Sequence, residues 1–158
     1  MSETTSLLTR AVRQHTAATE PLTHYGAPLI DLAMRVWIGL VFFRSGLQKL
    51  DDWESTLFLF EYEYMVPLLP HTAAAYAATA FELAMPVFLF IGLAARLAAV
   101  PLLGMAMVIQ FALGASNAAY NDFNHFAWMI FLLAIIVRGP GLLSADHFIR
   151  KAMAPKAD

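Results

Sequence analysis

Four stretches of apolar residues, each close to the length that an α-helix needs to cross a lipid bilayer, dominate this sequence. They run from about Pro28 to Leu50, from Thr72 to Leu93, from Arg96 to Leu113 and from His125 to Val137. About 20 apolar residues in a helix cross the hydrocarbon core, where a helix satisfies its own backbone hydrogen bonds. We therefore predict an all-α fold, a membrane four-helix bundle with four transmembrane helices.

The composition favours a lipid environment over a soluble fold. Apolar residues make up 59% of the 158-residue chain and charged residues 14%, against about 45–50% and about 25% in soluble domains. A soluble domain of this size could not bury so many apolar side chains. The net charge is −2 without a basic stripe, so nucleic acid is not an expected partner. The absence of cysteine excludes disulfides, thiolate metal sites and iron–sulfur clusters.

The connections between the stretches predict how neighbouring helices are arranged. Residues 92–96 form a short link, so the second and third helices should make an antiparallel hairpin. Residues 51–70 join the first two helices and are too polar to span the bilayer. Asp51 or Asp52 can cap a helix there, and the aromatic residues that follow suit a membrane interface. We predict a short interfacial helix between helices 1 and 2.

The basic residues predict the orientation of the bundle. If there are four spans, one side carries Arg10, Arg13, Arg35, Arg96, Arg138, Arg150, Lys151 and Lys156. Of the ten Lys and Arg residues, only Arg44 and Lys49 lie toward the other side. Because cytoplasmic segments are enriched in Lys and Arg, both termini are predicted to be cytoplasmic.

The chain divides into three parts on this interpretation. Residues 1–27 form a polar cytoplasmic N-terminal tail, residues 28–138 form the four-helix transmembrane domain, and residues 139–158 form a cytoplasmic amphipathic tail. The Gly-Pro-Gly run at 139–141 ends the fourth helix. Ser144 then stands where it can cap a short amphipathic helix.

Glu82, near the middle of the second helix, is the main candidate for function. A charge at mid-bilayer costs at least about 2.5–3.5 kcal/mol, so it requires a partner, water or a proton. From its depth in the neighbouring helix, Arg44 is the predicted partner, and Gln48 and Lys49 could line a polar pocket with it. Two interpretations stay open: a structural clamp between helices, and a site for a small polar or quinone-like ligand or a proton.

The other polar residues near the membrane predict less. Asp31 and Arg35 are four apart on the first helix and are predicted to form a structural ion pair. His71 and His125 fall at outer helix ends and are weak candidates for a metal site, but their spacing does not predict one. No catalytic motif is recognisable, so catalytic residues remain unassigned.

The run DLAMRVWIGLVFFRSGLQKL, followed by FELAMPVFLFIGLAARLAA and VRGPGLLSAD, resembles the DoxX family of small bacterial four-helix membrane proteins. The pieces stand in the family's order and cover about residues 28–146. The family's pattern falls on Arg35, Gly39, Gly46, Lys49, Glu82, Gly92, Gly139, Pro140, Gly141, Ser144 and Asp146.

This resemblance implies a multi-pass protein of the bacterial inner (plasma) membrane. The family's name comes from its relation to thiosulfate:quinone oxidoreductase subunits, and some relatives are linked to redox complexes. No cofactor is evident in this sequence. A quinone or a partner subunit would have to supply the redox group.

Three functional hypotheses follow. The first is an accessory or anchoring subunit of a redox-associated membrane complex, which is not catalytic alone and whose partners are the lipid bilayer and another protein subunit. The second is a quinone-interacting oxidoreductase subunit with a polar intramembrane pocket around Glu82. The third is a component of small-molecule or metal-ion transport. Homo-oligomerisation is compatible with all three.

Overall fold

The computed structural model of the protein describes residues 13–14, 16, 19–64, 66 and 69–154. Within these residues the backbone forms helices and short connections without any β-strand, so the predicted all-α fold is confirmed there. Arg10 and Lys156, which contributed to the predicted orientation, lie outside the described residues.

The main helices are labelled in chain order. They are α1 (Ala27–Asp51), α2 (Trp53–Leu59), α3 (His71–Ile91), α4 (Ala95–Met107), α5 (Asn124–Arg138) and α6 (Ala145–Met153). Shorter helical segments adjoin them: π-helical turns at Leu22–Gly26, Phe60–Tyr64 and Val108–Leu113, an α turn at Gly114–Ser116 and a 3-10 turn at Ala118–Tyr120.

The apolar helices match the four predicted stretches. Among the described residues, three continuous helical segments are long and apolar enough to cross a membrane: Thr19–Asp51, His71–Ile91 and Ala95–Ser116. Helix α5 is apolar too but has only 15 residues, which at about 1.5 Å each is shorter than a typical hydrocarbon core. The fold is therefore a bundle of three to four apolar helices suited to a lipid bilayer.

Helices α1 and α3 run antiparallel. Arg35, in the first half of α1, donates a hydrogen bond to the carbonyl of Leu89 near the end of α3, at 3.0 Å. Lys49, near the end of α1, meets Glu82 in the middle of α3 instead. These two contacts join the same pair of helices in reverse order, which shows that the two helices are antiparallel.

The two ends of the bundle carry opposite charge. We call the end that holds Arg35, Arg96 and Arg138 the basic end, and the end that holds Asp51, Glu63 and Asp122 the acidic end. At the basic end, Asp31 of α1 lies 3.3 Å from Arg138, the last residue of α5. Helix α5 is therefore also antiparallel to α1, and the start of α1 lies beside the end of α5.

Small residues allow the helices to pack closely. Gly39 of α1 lies against the ring of Phe90, and a Cβ at Gly46 would be 2.9 Å from the side chain of Leu83. On α4 the buried face consists of Ala95, Ala98, Ala99, Leu102 and Ala106. Such surfaces are expected inside a membrane, where helices associate through close packing rather than through a hydrophobic drive.

Both predicted helix caps are present. Asp52 accepts a hydrogen bond from the backbone N–H of Ser55 at 3.0 Å and begins α2. Hydrogen bonds from Ser55 lower the pKa of the Asp52 carboxyl. Ser144 accepts from the N–H of His147 at 3.2 Å and begins α6. A helix between α1 and α3 is thus confirmed, and its location at the membrane interface stays a prediction.

Asp31 and Arg35 do not form the predicted direct ion pair. Arg35 is fully buried, and its guanidinium donates to the carbonyls of Leu89 and Leu143. Asp31 pairs with Arg138 at 3.3 Å. The last carbonyls of a helix have no partner within that helix, so the end of α3 attracts the Arg35 guanidinium inward while the end of α5 supplies Asp31 with another cation.

The turn between α3 and α4 is held in place by the first turn of α6. Gly92, at φ 72°, donates its N–H to the carbonyl of Phe88 at 2.8 Å and closes α3. Its own carbonyl accepts from the N–H of Asp146 at 3.0 Å. The Asp146 carboxylate accepts from the N–H groups of Ala94 and Ala95, at 2.8 and 3.3 Å, and so caps α4. This network fixes the antiparallel hairpin.

Replacing Gly92 with Ala should destabilise the fold. A Cβ there would overlap Nη1 of Arg35 and lie 2.6 Å from Cβ of Ser144, and a left-handed backbone costs a non-glycine residue about 1–2 kcal/mol before any clash. We expect a lower unfolding temperature in detergent micelles, followed by tryptophan fluorescence. Gly104→Ala is the control, because a Cβ there meets nothing within 4 Å. Equal effects in both variants would contradict the prediction.

Candidate functional site

A cavity of about 390 Å³ lies between α3 and α4, toward the acidic end of the bundle. Its lining comes from α1, α3, α4 and the connecting segments: Ser45, Lys49, Phe60, Tyr64, Val66, Leu69, Ala74, Ala77, Ala78, Phe81, Glu82, Pro101, Gly104, Met105, Val108, Ile109, Leu113 and Tyr120. Most of these side chains are apolar. The polar side chains of the lining form two groups, Ser45–Lys49–Glu82 and Tyr64–Tyr120.

Small residues on the facing helices provide the space. Ala77 and Ala78 line the cavity from α3, and Gly104 lines it from α4. A Cβ added to Gly104 would meet no atom within 4 Å. Leu69, Phe81 and Val108 also line the cavity and are 51%, 42% and 41% exposed, so the cavity reaches the outer surface of the bundle.

The first polar group is an ion pair inside the bundle. The ammonium of Lys49 lies 2.7 Å from Oε2 and 2.9 Å from Oε1 of Glu82, whose side chain is only 3% exposed. Ser45 donates its hydroxyl to Oε1 of Glu82 at 3.3 Å and accepts from Lys49 at 3.0 Å. A buried carboxylate must be paired and hydrogen-bonded, and here both requirements are met by residues one helical turn apart on α1.

Two of the four predicted pocket residues lie elsewhere. Lys49 and Glu82 line the cavity, whereas Arg44 and Gln48 are exposed and do not. The predicted partner of Glu82 was Arg44, and that prediction is wrong. Consecutive residues on a helix differ by about 100° around its axis. Arg44 was chosen because its depth in the membrane is close to that of Glu82, but it lies on another face of α1. The face of α1 that meets α3 carries Ser45 and Lys49.

Two tyrosines form the second polar group. Tyr120 donates its hydroxyl to the carboxylate of Glu63, and its ring meets that of Tyr64 edge to face with centroids 5.7 Å apart. The bond to Glu63 raises the pKa of the Tyr120 phenol, and burial raises that of Tyr64. Sequence reasoning placed Tyr64 only at the interface and did not single out Tyr120. Both lie in connecting segments, where no periodic pattern indicates which side chains meet.

A protein-family comparison covers most of these elements. The family model described as DoxX matches residues 30–115, more than half of the chain. The chain belongs to the DoxX family. No curated protein and no solved structure matches it. The match runs from α1 to the helical turns that follow α4, and it includes Lys49 and Glu82. Tyr120 lies beyond its end. With its apolar helices, this DoxX-family chain is a membrane protein.

The two histidines considered as metal ligands have separate surroundings. His71 is exposed, with Nε2 at 3.9 Å from Oε2 of Glu61. His125 is buried, and its Nδ1 lies 2.9 Å from Oε1 of Gln110. The Nε2 of Gln110 donates a hydrogen bond to Asn121 at 2.7 Å. Across the part of the chain that the structure describes, no three His, Cys, Asp or Glu side chains are grouped to hold a metal ion.

The cavity of this DoxX-family protein therefore combines an apolar interior with polar groups in two places. The Lys49 ammonium and the Ser45 hydroxyl are hydrogen-bond donors beside a carboxylate. Tyr64 and Tyr120 bring phenol groups to the lining. Pockets of about 300–1,000 Å³ with a few placed polar groups are typical of small-molecule sites. The arrangement suits a largely apolar ligand with polar atoms on its ring or head.

Replacing only one member of the Lys49–Glu82 pair should lower the free energy of unfolding more than replacing both. Lys49→Met leaves a carboxylate buried without its cation, which typically costs about 3–5 kcal/mol, whereas replacing a whole buried pair by neutral groups is often nearly neutral. We expect Lys49→Met with Glu82→Gln to unfold at a higher temperature than Lys49→Met alone. A double-mutant cycle in detergent measures this coupling. Additive effects would show that the two side chains do not depend on each other.

Glu63→Gln should lower the pH at which Tyr120 ionises. The hydrogen bond to Glu63 raises the Tyr120 pKa above the ordinary value of about 10, because the neutral phenol is the form that donates. Its contribution to stability is full below about pH 10 and is lost as the pH rises through the raised pKa.

The tyrosinate absorbance during an alkaline titration measures this shift, and the difference from Tyr120→Phe assigns the signal. Glu61→Gln is the matched control, since that carboxylate faces His71 at 3.9 Å. A Glu63→Gln titration identical to that of wild type would contradict the role of the hydrogen bond.

Proposed function

We propose that this DoxX-family protein is the ligand-binding membrane subunit of a redox-associated complex, and that its cavity binds a quinone-class molecule. The observation that carries the proposal is the cavity of about 390 Å³ with the Lys49–Glu82 pair in its wall. A structural clamp alone needs no space beside it. The open volume next to the pair favours the ligand-site interpretation over the purely structural one.

The chemistry of the lining agrees with a quinone. A quinone ring is flat and apolar, with a carbonyl oxygen on each of two opposite edges that accepts hydrogen bonds. The hydroxyl of Tyr64 suits one oxygen. Lys49 would donate to the other by turning toward the ligand one of the three N–H groups that it now directs to Ser45 and Glu82. The Lys49–Glu82 pair has no net charge, so a neutral ligand meets no uncompensated field. Apolar residues such as Ile109 and Leu113 would surround the ring and its tail.

The route into the cavity supports a lipid-soluble ligand. Leu69, Phe81 and Val108 lie both in the lining and on the exposed surface of the helices. In a bilayer that surface faces lipid, so a ligand dissolved in the membrane could enter sideways. An aqueous metabolite would have to cross this apolar surface, which is why we prefer a quinone to a small polar acid.

The same proposal includes the topology. All four apolar helices, including the shorter α5, cross the bacterial inner membrane, both termini are cytoplasmic, and residues 28–138 form the membrane domain. Support comes from the antiparallel packing and from the basic end, where Arg96 and Arg138 lie together with Arg150 and Lys151 of α6. Basic residues of this kind are retained on the cytoplasmic side. The cavity, toward the acidic end, then opens to the outer leaflet.

A partner is part of the proposal because the site offers binding and proton-exchanging groups, whereas electron transfer requires a redox centre. That centre would belong to another protein subunit of the complex. In the alternative, an accessory or anchoring role, the protein binds a partner subunit and its cavity holds no quinone.

Filling the cavity should remove the ligand. Ala78→Leu adds bulk to a lining residue, and Ala80→Leu makes the same change on the same helix at an exposed position outside the lining. We expect protein purified gently from native membranes to carry quinone in the wild type and in Ala80→Leu. Ala78→Leu should carry at least about tenfold less quinone. A factor of ten corresponds to roughly 1.4 kcal/mol of binding free energy, which a side chain that fills the site readily removes.

Mass spectrometry of lipid extracts and of copurifying proteins from the same samples makes the measurement. A stoichiometric partner without any quinone in the wild type would overturn the quinone proposal and support the anchoring role. Quinone that is retained equally in Ala78→Leu would place it outside this cavity.

A further inference from the structure

A second cavity, of about 360 Å³, lies at the basic end of the bundle. It is bounded by the start of α1, the end of α5 and the helix α6, and it is lined by Thr23, His24, Ala27, Pro28, Asp31, Arg138, Gly141, Leu142, His147 and Arg150. It shares no residue with the cavity between α3 and α4.

The lining of this second cavity is cationic. It contains two guanidinium groups, Arg138 and Arg150, and one carboxylate, Asp31, with the imidazoles of His24 and His147 beside them. Asp31 lies 3.3 Å from Arg138, so the single acid is already paired with one of the two cations. With both histidines neutral, the lining still carries one positive charge beyond its acid.

Arg150 retains most of its donors for a ligand. Its Nε donates to the backbone carbonyl of Asp146 on its own helix, at 3.1 Å. Its terminal nitrogens have no ion-pair or hydrogen-bond partner among the described residues. The nearby Asp146 carboxylate is occupied by the N–H groups of Ala94 and Ala95. A guanidinium fork held in this way is suited to a phosphate, whose oxygens accept two hydrogen bonds side by side.

Helix α6 indicates where this cavity sits relative to lipid. At 100° per residue, Ala145, Phe148, Ile149, Ala152 and Met153 share one face of α6, and Asp146, His147, Arg150 and Lys151 share the other. Phe148 is 61% exposed and Met153 is 78% exposed. A strongly amphipathic helix with an uncovered apolar face and a basic polar face lies in the membrane interface, at the depth of the headgroups.

Apolar side chains also flank the cavity on its other side. Leu29 and Ile30, in the first turn of α1, are 60% and 59% exposed directly after Pro28, which lines the cavity. Leu142 lines the cavity and is 49% exposed. A cationic hollow with apolar surface around it matches a molecule that has a phosphate at one end and hydrocarbon at the other.

We propose that this second cavity binds the headgroup of an anionic phospholipid. The phosphate lies between Arg138 and Arg150, and the acyl chains follow the apolar residues that start α1. The bound lipid joins α6 to the ends of α1 and α5. A free inorganic phosphate would satisfy the two arginines but would leave the flanking apolar surface unused.

The experiment compares lipids retained by the full-length protein after exchange into micelles with equal amounts of phosphatidylglycerol and phosphatidylcholine. Native mass spectrometry counts the bound lipids. The variant is Arg150→Gln, and the matched control is Lys151→Gln, which removes the same charge from the same helix at a position outside the lining. We expect the preference for phosphatidylglycerol to fall about fivefold in Arg150→Gln and to stay at the wild-type level in Lys151→Gln.

Each other outcome would overturn the proposal. Equal losses in both variants would indicate general attraction of α6 to an anionic surface, and no loss in either would place the lipid elsewhere. Displacement of phosphatidylglycerol by millimolar inorganic phosphate would identify a free-phosphate site. If Arg150→Gln unfolds, Arg150→Lys replaces it, because lysine keeps the charge but lacks the two-pronged guanidinium. A reduced preference for phosphatidylglycerol in Arg150→Lys supports the proposal, and an unchanged preference overturns it.

Discussion

The ion pair between Lys49 and Glu82 is the interaction on which the middle of this bundle depends. Lipid offers no hydrogen-bond partner, so a carboxylate inside the membrane requires a cation, water or a proton. Glu82 of α3 meets the Lys49 ammonium of α1. The register of α1 against α3 that joins these two side chains also places Gly46 against Leu83. Because the pair satisfies its own charges, the volume beside it can stay open and largely apolar.

The two cavities follow from the same physical constraint at opposite ends of the bundle. Toward the acidic end, the polar groups are paired internally, and the remaining space suits an uncharged ligand that arrives through lipid. At the basic end, Arg35 donates to the carbonyls of Leu89 and Leu143. Arg138 and Arg150 line the second cavity there with a single acid, Asp31. Excess positive charge there suits an anionic headgroup.

Much of the helical framework could be predicted, and the reasons are local. The first apolar stretch was predicted from Pro28 to Leu50 and is helical over Ala27–Asp51. The caps at Asp52 and Ser144 depend on residues within one turn, so short-range pattern reading found them. The partner of Glu82 was predicted incorrectly, because depth in the membrane was compared without the helix face. Asp31 and Arg35 satisfied the four-residue spacing of an ion pair, but the ends of α3 and α5 offered each of them another partner.

The sequence by itself determined that this chain is helical, apolar enough for a bilayer, charged unequally at its two ends and a member of the DoxX family, because length, hydrophobicity and motif order are properties of consecutive residues. Only the tertiary structure decided that Lys49 rather than Arg44 meets Glu82, that Tyr64 and Tyr120 come together, and that open space lies beside them. Those outcomes depend on how helices rotate and pack against one another. That rotation is set by the sum of contacts across the bundle, and no single stretch of sequence contains it.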